Sequence, residues 1–257
     1  GFSKYTIVKN LLPLVKDIEK IIPKVFKTYN VSTLPAQFKL LGLKNVCILG
    51  YGKEGKVTEK YLKKNYPELK IGILDQSIDK NYLEKQSEYD FAIKTPGISK
   101  SKMTIPYTTA TNIFFAENRN FTIGITGSKG KSTTATLVYE IFKKAGKKVH
   151  LLGNIGSPML EVSMEHPKKD EIFIIELSSY MLEDIEYSPN IAVLLNLFPE
   201  HMNYHRGVRN YYKAKNNIFR FQKPGDIALR PPFKAKLPFK KSEVRLLGGH
   251  NLENIKA

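Results

Sequence analysis

The chain has no tryptophan and a single cysteine in 257 residues. Cys47 has no internal partner, so no disulfide staples the fold, and its place in the apolar run Val46-Cys47-Ile48-Leu49 marks it as a small buried hydrophobe. No stretch is long and apolar enough to span a bilayer, and no signal-peptide pattern opens the chain. With a mean hydropathy of −0.30, this predicts a soluble cytoplasmic protein without membrane insertion. Acidic residues are scarce, 24 against 41 lysines and arginines, for a net charge of +17. Such a positive field invites nucleic acid, yet the lysines are scattered and no arginine-rich run or RNA-binding signature accompanies them. Anionic small molecules such as nucleotides are the simpler partners. No internal repeat or low-complexity tract is present.

What the chain does have is FTIGITGSKGKSTTAT at 121–136. An apolar strand runs into Gly127-Ser128-Lys129-Gly130-Lys131-Ser132 and then into a helix. In such a loop glycines let backbone N–H groups turn toward an anion, and the helix adds the positive end of its dipole. Lys131 reaches the outer phosphates, and Ser132 can hold Mg²⁺. The spacing is irregular, because the usual first glycine of a P-loop falls at Ile125, between Gly124 and Gly127. The chemistry implied is that of a nucleoside triphosphate.

A second glycine pattern lies upstream. The strand 45–49 enters Gly50-Tyr51-Gly52-Lys53-Glu54-Gly55 and a helix to about Asn65, and a second strand, 71–74, ends at Asp75. This is a β-α-β nucleotide fingerprint. Only about seventy residues separate Gly50 from the second loop, room for little more than one mononucleotide half, so a ligand with one nucleoside and a diphosphate is favoured over NAD. Strand 91–93 and the tight loop Thr95-Pro96-Gly97-Ile98-Ser99 follow, at an edge where open α/β sheets bind ligands.

Beyond the phosphate loop the spacing predicts strands over 148–152, 172–176 and 191–195 and a helix over 208–221. Glu176 stands at the tip of the second of these strands, where P-loop enzymes hold Mg²⁺, although such a glutamate can equally be a solvated cap. His201 and His205 follow the third strand, and could be general bases, metal ligands or plain loop residues. Residues 4–28 read as a basic amphipathic helix, suited to a membrane or a partner but more simply packed on its own domain. The chain opens on Gly1 rather than methionine, and 248–257 looks like a helix beginning, so a fragment or processed form is expected.

Taken in order, the segments 126–133, 153–156 (Gly-Asn-Ile-Gly), 176–179 (Glu-Leu-Ser-Ser), 200–205 (Glu-His-Met-Asn-Tyr-His), 211–215 (Tyr-Tyr-Lys-Ala-Lys) and 250–254 (His-Asn-Leu-Glu-Asn) resemble the Mur ligases. These are the ATP-dependent amide-forming enzymes of peptidoglycan precursor synthesis. The upstream fingerprint and Thr95-Pro96-Gly97-Ile98 are similar to the branch that adds D-glutamate to UDP-N-acetylmuramoyl-L-alanine. The resemblance covers roughly residues 45–257.

It implies an α/β protein in which a helical extension (1–41) precedes a Rossmann-like UDP-sugar-binding domain (42–118) and a P-loop ATPase-type central domain (119–257). It further implies UDP-sugar contacts at Gly50, Gly52, Gly55, Asp75, Gln76, Thr95, Pro96 and Gly97. ATP contacts would come from Gly127, Ser128, Lys129, Gly130, Lys131, Ser132, Thr133, Asn251 and Asn254. Two Mg²⁺ ions would be held by Ser132, Glu176, His201 and Lys215, the last as a carbamate, with Asn154 and Ser178 near the reacting carboxylate. A monomer is expected. Two residues depart from the family pattern: Glu200 replaces an aspartate, and Lys129 a smaller polar residue. The family's third domain would begin where the chain stops, so poor ligation by this chain alone is expected. Rival readings are a sister Mur enzyme, a folylpolyglutamate-synthase-like ligase, a non-catalytic nucleotide-binding protein on the same scaffold, and a nucleic-acid-acting ATPase.

Overall fold

A computed structural model describes residues 43–118 and 120–233. The expected helix over 4–28, the 1–41 extension and the motif with Asn251 and Asn254 lie outside these residues.

Two parallel sheets form the frame. The first contains β1 (Asn45–Leu49), β2 (Lys70–Leu74), β3 (Phe91–Lys94) and β4 (Tyr107–Thr109) in the order β2-β1-β3-β4. Helix α1 (Lys53–Asn65) joins β1 to β2. Its Val57, Thr58, Tyr61 and Leu62 fall on one buried face, while lysines occupy the other, the stripe expected of a helix lying on a sheet. The chain leaves β1 in one direction and returns at β3 on its other side. The carboxyl ends of β1 and β3 therefore flank a topological switch point, where open α/β sheets bind ligands.

Helix α2 (Ala110–Glu117) follows β4 directly, with the Thr109 side chain accepting from the Asn112 N–H as its N-cap. This cap satisfies one of the amides that a helix start leaves unpaired. Seven of the eight α2 residues are buried, so it lacks the polar contrast that would reveal it as an amphipathic helix.

The second sheet holds β5 (Phe121–Thr126), β6 (Val149–Gly153), β7 (Ile172–Glu176), β8 (Ile191–Leu194) and β9 (Ile227–Leu229), in the order β6-β7-β5-β8-β9. β7 is buried throughout, which explains why its sequence is an apolar run rather than an alternation; β5 is buried throughout as well, with Phe121, Ile123 and Ile125 alternating with Thr122, Gly124 and Thr126. Helices α3 (Lys131–Lys144), α4 (Met159–Ser163), α5 (Ser179–Glu183), α6 (Met202–His205) and α7 (Val208–Asn216) complete the described chain. The helix expected over 208–221 is shorter, because after Asn216 the chain tightens into a 3-10 turn at Asn217–Phe219. β4 and β9, three residues each, were not foreseen.

One apolar cluster joins the sheets, with Ile48, Tyr61 and Ile93 from the first packing with Phe114, Leu160, Phe173 and Ile175. Burial of each large side chain is worth about 1.5–3 kcal/mol. Polar ties reinforce the seam. Lys94 at the end of β3, fully buried, donates to the Ile98 carbonyl at 2.7 Å and lies 2.7 Å from Asp184 Oδ2, just past α5. Asp184 also accepts from the Tyr107 hydroxyl at 3.0 Å.

Candidate nucleotide site

The β5–β7 register sets Ile125 beside Glu176, and the β5–β8 register sets Thr126 beside Leu194. The phosphate loop, Glu176 and the chain beyond β8 thus emerge together at one sheet edge. Gly130, at φ 85°, turns the chain into α3, leaving the first-turn amides of Lys131, Ser132 and Thr133 without partners within the helix. Ser128 through Thr133 line a cavity of about 540 Å³ with Glu200 and His201. Ser132 and Thr133 are exposed, and Lys131 is half-buried with its Nζ donating to the Ser128 carbonyl at 3.0 Å. Burial lowers the Lys131 pKa, against the pull of Glu176 and Glu200.

The loop is held from behind by Asn196 and Phe198, which the sequence did not single out, and by Tyr211 of the 211–215 motif. Asn196 accepts from the Lys129 N–H and donates to the Lys129 carbonyl, both at 2.9 Å, and its own carbonyl accepts from the Ser128 N–H at 3.0 Å. Ser128 Oγ is engaged at 2.8 Å by the Phe198 backbone and by the Tyr211 hydroxyl. Ser128 therefore braces the loop through both its amide and its hydroxyl. The two departures from the family pattern meet each other: Lys129 Nζ lies 2.7 Å from Glu200 Oε1, and this pairing lowers the Glu200 pKa.

Glu176 is buried. One carboxylate oxygen accepts from Asn154 Nδ2 at 2.9 Å, and the other has no hydrogen-bond partner. A buried oxygen left unpaired is costly, and this one fits a cation or its bound water. Among the described residues no three His, Cys, Asp or Glu side chains gather into a ready-made metal site. That is compatible with Mg²⁺, which protein sites commonly hold by one or two carboxylates plus phosphate oxygens and water.

Lys215, on α7, is 2% exposed. Its Nζ donates to the Gly127 carbonyl at 2.8 Å and to Thr126 Oγ1 at 3.2 Å, beside the Tyr211 ring. Burial, aided by the neighbouring Lys131 charge, pushes its pKa down to about 7. His201, exposed and in the left-handed region at φ 56°, lies 5.0 Å from the Tyr180 ring, centre to centre. His205 instead is buried, with Nε2 3.0 Å from Ser179 Oγ, and burial with the nearby cations takes its pKa down to about 4. Ser178 serves as the N-cap of α5, accepting from the Met181 N–H at 3.2 Å.

The upstream fingerprint forms a second loop. A Cβ on Gly50 would come within 2.1 Å of Thr95 Oγ1, and one on Gly55 within 2.2 Å of the Gly50 carbonyl, whereas Gly52 faces open space. The first and last of these glycines are packing requirements, and the middle one leaves the surface clear. Asp75 accepts from the Tyr51 N–H at 2.6 Å, fixing the loop's turn, and Gln76 beyond it is exposed. Thr95 donates to the Leu49 carbonyl through its hydroxyl at 2.9 Å. Tyr204 donates to the carbonyls of Pro96 and Ile98 at 3.0 and 3.2 Å, which ties the Gly97 turn to the segment following His201.

A glycine loop feeding a helix, a lysine in that helix's first turn and a buried strand-end carboxylate beside it define a nucleotide-binding α/β protein of the phosphate-loop class. Residues 125–231 match the Mur ligase middle domain, a span that contains Lys131, Glu176, His201 and Lys215. Residues 125–231 thus place this part of the chain in the Mur ligase family. The chain is 38% identical over 165 residues to the UDP-N-acetylmuramoylalanine--D-glutamate ligase of Clostridium botulinum strain Hall, covering 61% of this chain and 36% of that protein. It is 36% identical over 182 residues to the ligase of the same name from Clostridium tetani, covering 67% and 39%. The chain thus spans little more than a third of the length of these relatives. Among solved structures, the UDP-N-acetylmuramate:L-alanyl-gamma-D-glutamyl-meso-diaminopimelate ligase from Neisseria meningitides aligns at 16% identity and a TM-score of 0.42, over 69% of this chain and 68% of that one.

Proposed function

We propose that the chain forms the UDP-sugar-binding and ATP-binding parts of a ligase that adds D-glutamate to UDP-N-acetylmuramoyl-L-alanine. On this reading residues 42–118 hold the UDP-sugar, through the Gly50–Gly55 loop, Asp75, Gln76 and the Thr95–Gly97 turn. Residues from 119 onward hold ATP through the backbone of the phosphate loop and Lys131. The observation that carries it is Lys215. An amine held near neutrality against the phosphate-loop carbonyl can take up CO₂ as a carbamate, a chemistry that suits carboxylate activation and that phosphate loops in motors or kinases do not need. The partial identity to D-glutamate ligases supports the choice of amino acid.

The chemistry follows from charge. The substrate carboxylate attacks the γ-phosphorus of ATP; an oxygen–phosphorus bond forms, the bond to the β-phosphate oxygen breaks, and ADP leaves. The amine of D-glutamate then adds to the carbonyl of the acyl phosphate, and phosphate departs as the amide forms. Lys131 and the first-turn amides of α3 neutralise the phosphates, offsetting repulsion between two anions. Glu176 and Ser132, with His201 and carbamylated Lys215, would hold Mg²⁺, which supplies further charge neutralisation. Asn154 fixes the orientation of the Glu176 carboxylate. The remaining contribution is positioning.

The test is phosphate release by the full-length gene product with ATP, Mg²⁺, UDP-N-acetylmuramoyl-L-alanine and a panel of amino acids. Release dependent on D-glutamate is expected. Release with a different amino acid overturns the specificity, and no release with any overturns the ligase reading.

A further inference from the structure

The short helix α6 touches both loops at once. It is bracketed by two residues in the left-handed region, His201 before it and Arg206 after it, both at φ 56°. Residues other than glycine seldom adopt that conformation, and it persists only where the surrounding contacts impose it. His201, at one end, lines the phosphate-loop cavity. Tyr204 lies three residues on, about 4.5 Å further along the helix axis, and its hydroxyl donates to the Pro96 and Ile98 carbonyls that bracket Gly97. The Ile98 carbonyl is also held by Lys94, which is paired with Asp184.

Two further observations make Tyr204 more than a staple. Burial, with the Glu183 and Asp184 carboxylates beside it, raises the hydroxyl pKa, so it keeps its proton and remains a donor. Glu183 is a second acceptor for that hydroxyl, so when the turn moves away the proton passes to a carboxylate and no buried donor is stranded. The strut therefore has two settings. The ring carries the rest: Tyr204 meets Tyr180 edge-on, 4.3 Å between centres, and Tyr180 lies 5.0 Å from His201. Another tie crosses the seam at the surface, where Arg206 Nη2 donates to Ser101 Oγ at 2.9 Å, both residues being exposed.

We infer that Tyr204 is a positioning residue that couples the two ligands. A UDP-sugar seated on the Thr95–Gly97 turn fixes that turn on Tyr204, and α6 and Tyr180 pass the constraint to His201 at the nucleotide cavity. The inference rests on reading residues 42–118 as the UDP-sugar site and the phosphate loop as the ATP site. Whichever ligand binds first bears part of the cost of ordering α6, so the second binds more tightly. The factor is the same in both directions.

The experiment is calorimetric titration of the full-length gene product with adenylyl imidodiphosphate and Mg²⁺, with and without saturating UDP-N-acetylmuramoyl-L-alanine. Wild type is compared with Tyr204→Phe and Ser101→Ala. Phenylalanine keeps the ring against Tyr180 and removes only the hydroxyl, and thermal melts confirm that each variant is folded. In wild type the UDP-sugar should tighten the nucleotide analogue at least about fivefold, with the same factor in the reciprocal titration. In Tyr204→Phe the factor should fall below about twofold, while each ligand alone binds within about threefold of wild type. Ser101→Ala should keep the wild-type factor. A merely structural role would weaken each ligand alone and leave the factor unchanged, as would coupling by direct contact between the ligands. No tightening in wild type, a factor unchanged in Tyr204→Phe, or one lost equally in Ser101→Ala overturns the inference. Failure of wild type to bind either ligand overturns the reading of the sites and the inference with it, whereas binding of both without coupling leaves that reading standing.

Discussion

Replacing Lys215 by methionine keeps the stem and removes the amine, so the pH dependence of the resulting stability change isolates the cost of burying that amine. In the native state its pKa is driven from 10.5 to about 7 by burial and by Lys131. In the unfolded chain it titrates near its ordinary value, so between pH 7 and about 10 the unfolded state binds one proton more than the native one. Stability of the wild type therefore rises with pH across that window by about 1.4 kcal/mol per unit, and below pH 7 the protonated amine exacts its full penalty, about 5 kcal/mol. The methionine variant lacks this slope. Its stability relative to wild type should be more favourable at pH 6.5 than at pH 9.5 by about 3 kcal/mol, a difference in which the other titrating groups cancel. Urea unfolding in CO₂-free buffers measures it. Parallel pH profiles for the two proteins would refute the burial argument and the readiness for carbamylation with it. At pH 7 about half of such amines are free, against fewer than about one in a thousand for an ordinary lysine.

Three other perturbations probe the frame. Asn196→Ala removes two hydrogen bonds from the Lys129 backbone, and a fluorescent ATP analogue should bind up to about thirtyfold more weakly, each bond being worth about 1 kcal/mol. Gly55→Ala drives a methyl into the Gly50 carbonyl and should cost about 3 kcal/mol, while Gly52→Ala stays within about 1 kcal/mol; thermal melts separate them, and equal melting temperatures would contradict the packing argument. Lys94→Met strands Asp184 in the seam between the sheets and should cost about 3–5 kcal/mol in urea unfolding, with Asp184→Asn restoring part of the loss in the double variant.

The core strands were legible because burial on both faces writes itself as apolar runs: 45–49, 172–176 and 191–194 read directly. β4 and β9 did not, because Tyr107-Thr108-Thr109 and Ile227-Ala228-Leu229 are too short to show a period. Helix α2 was missed for the opposite reason, being buried almost all round. The phosphate loop, Glu176 and Lys215 were legible as local motifs. Asn196, the Ser128–Tyr211 bond and the Lys94–Asp184 pair were not, since each joins residues 67–90 positions apart and no single sequence records which distant polar groups meet. Lys129 and Glu200 were both noticed, but as two separate oddities; only their 2.7 Å contact makes them one feature.

The bond from Ser128 Oγ to the Tyr211 hydroxyl has a consequence for exchanging parts between proteins. Four positions along α7 from Tyr211 is Lys215, bonded back to Gly127, so the loop and the helix are machined to one another at two points. A phosphate loop transplanted from an unrelated nucleotide-binding protein would arrive without its socket, and a transplanted α7 without its peg. The interchangeable unit here is the pair, and chimeras cut between residues 133 and 208 should lose nucleotide binding even when each half keeps its own fold.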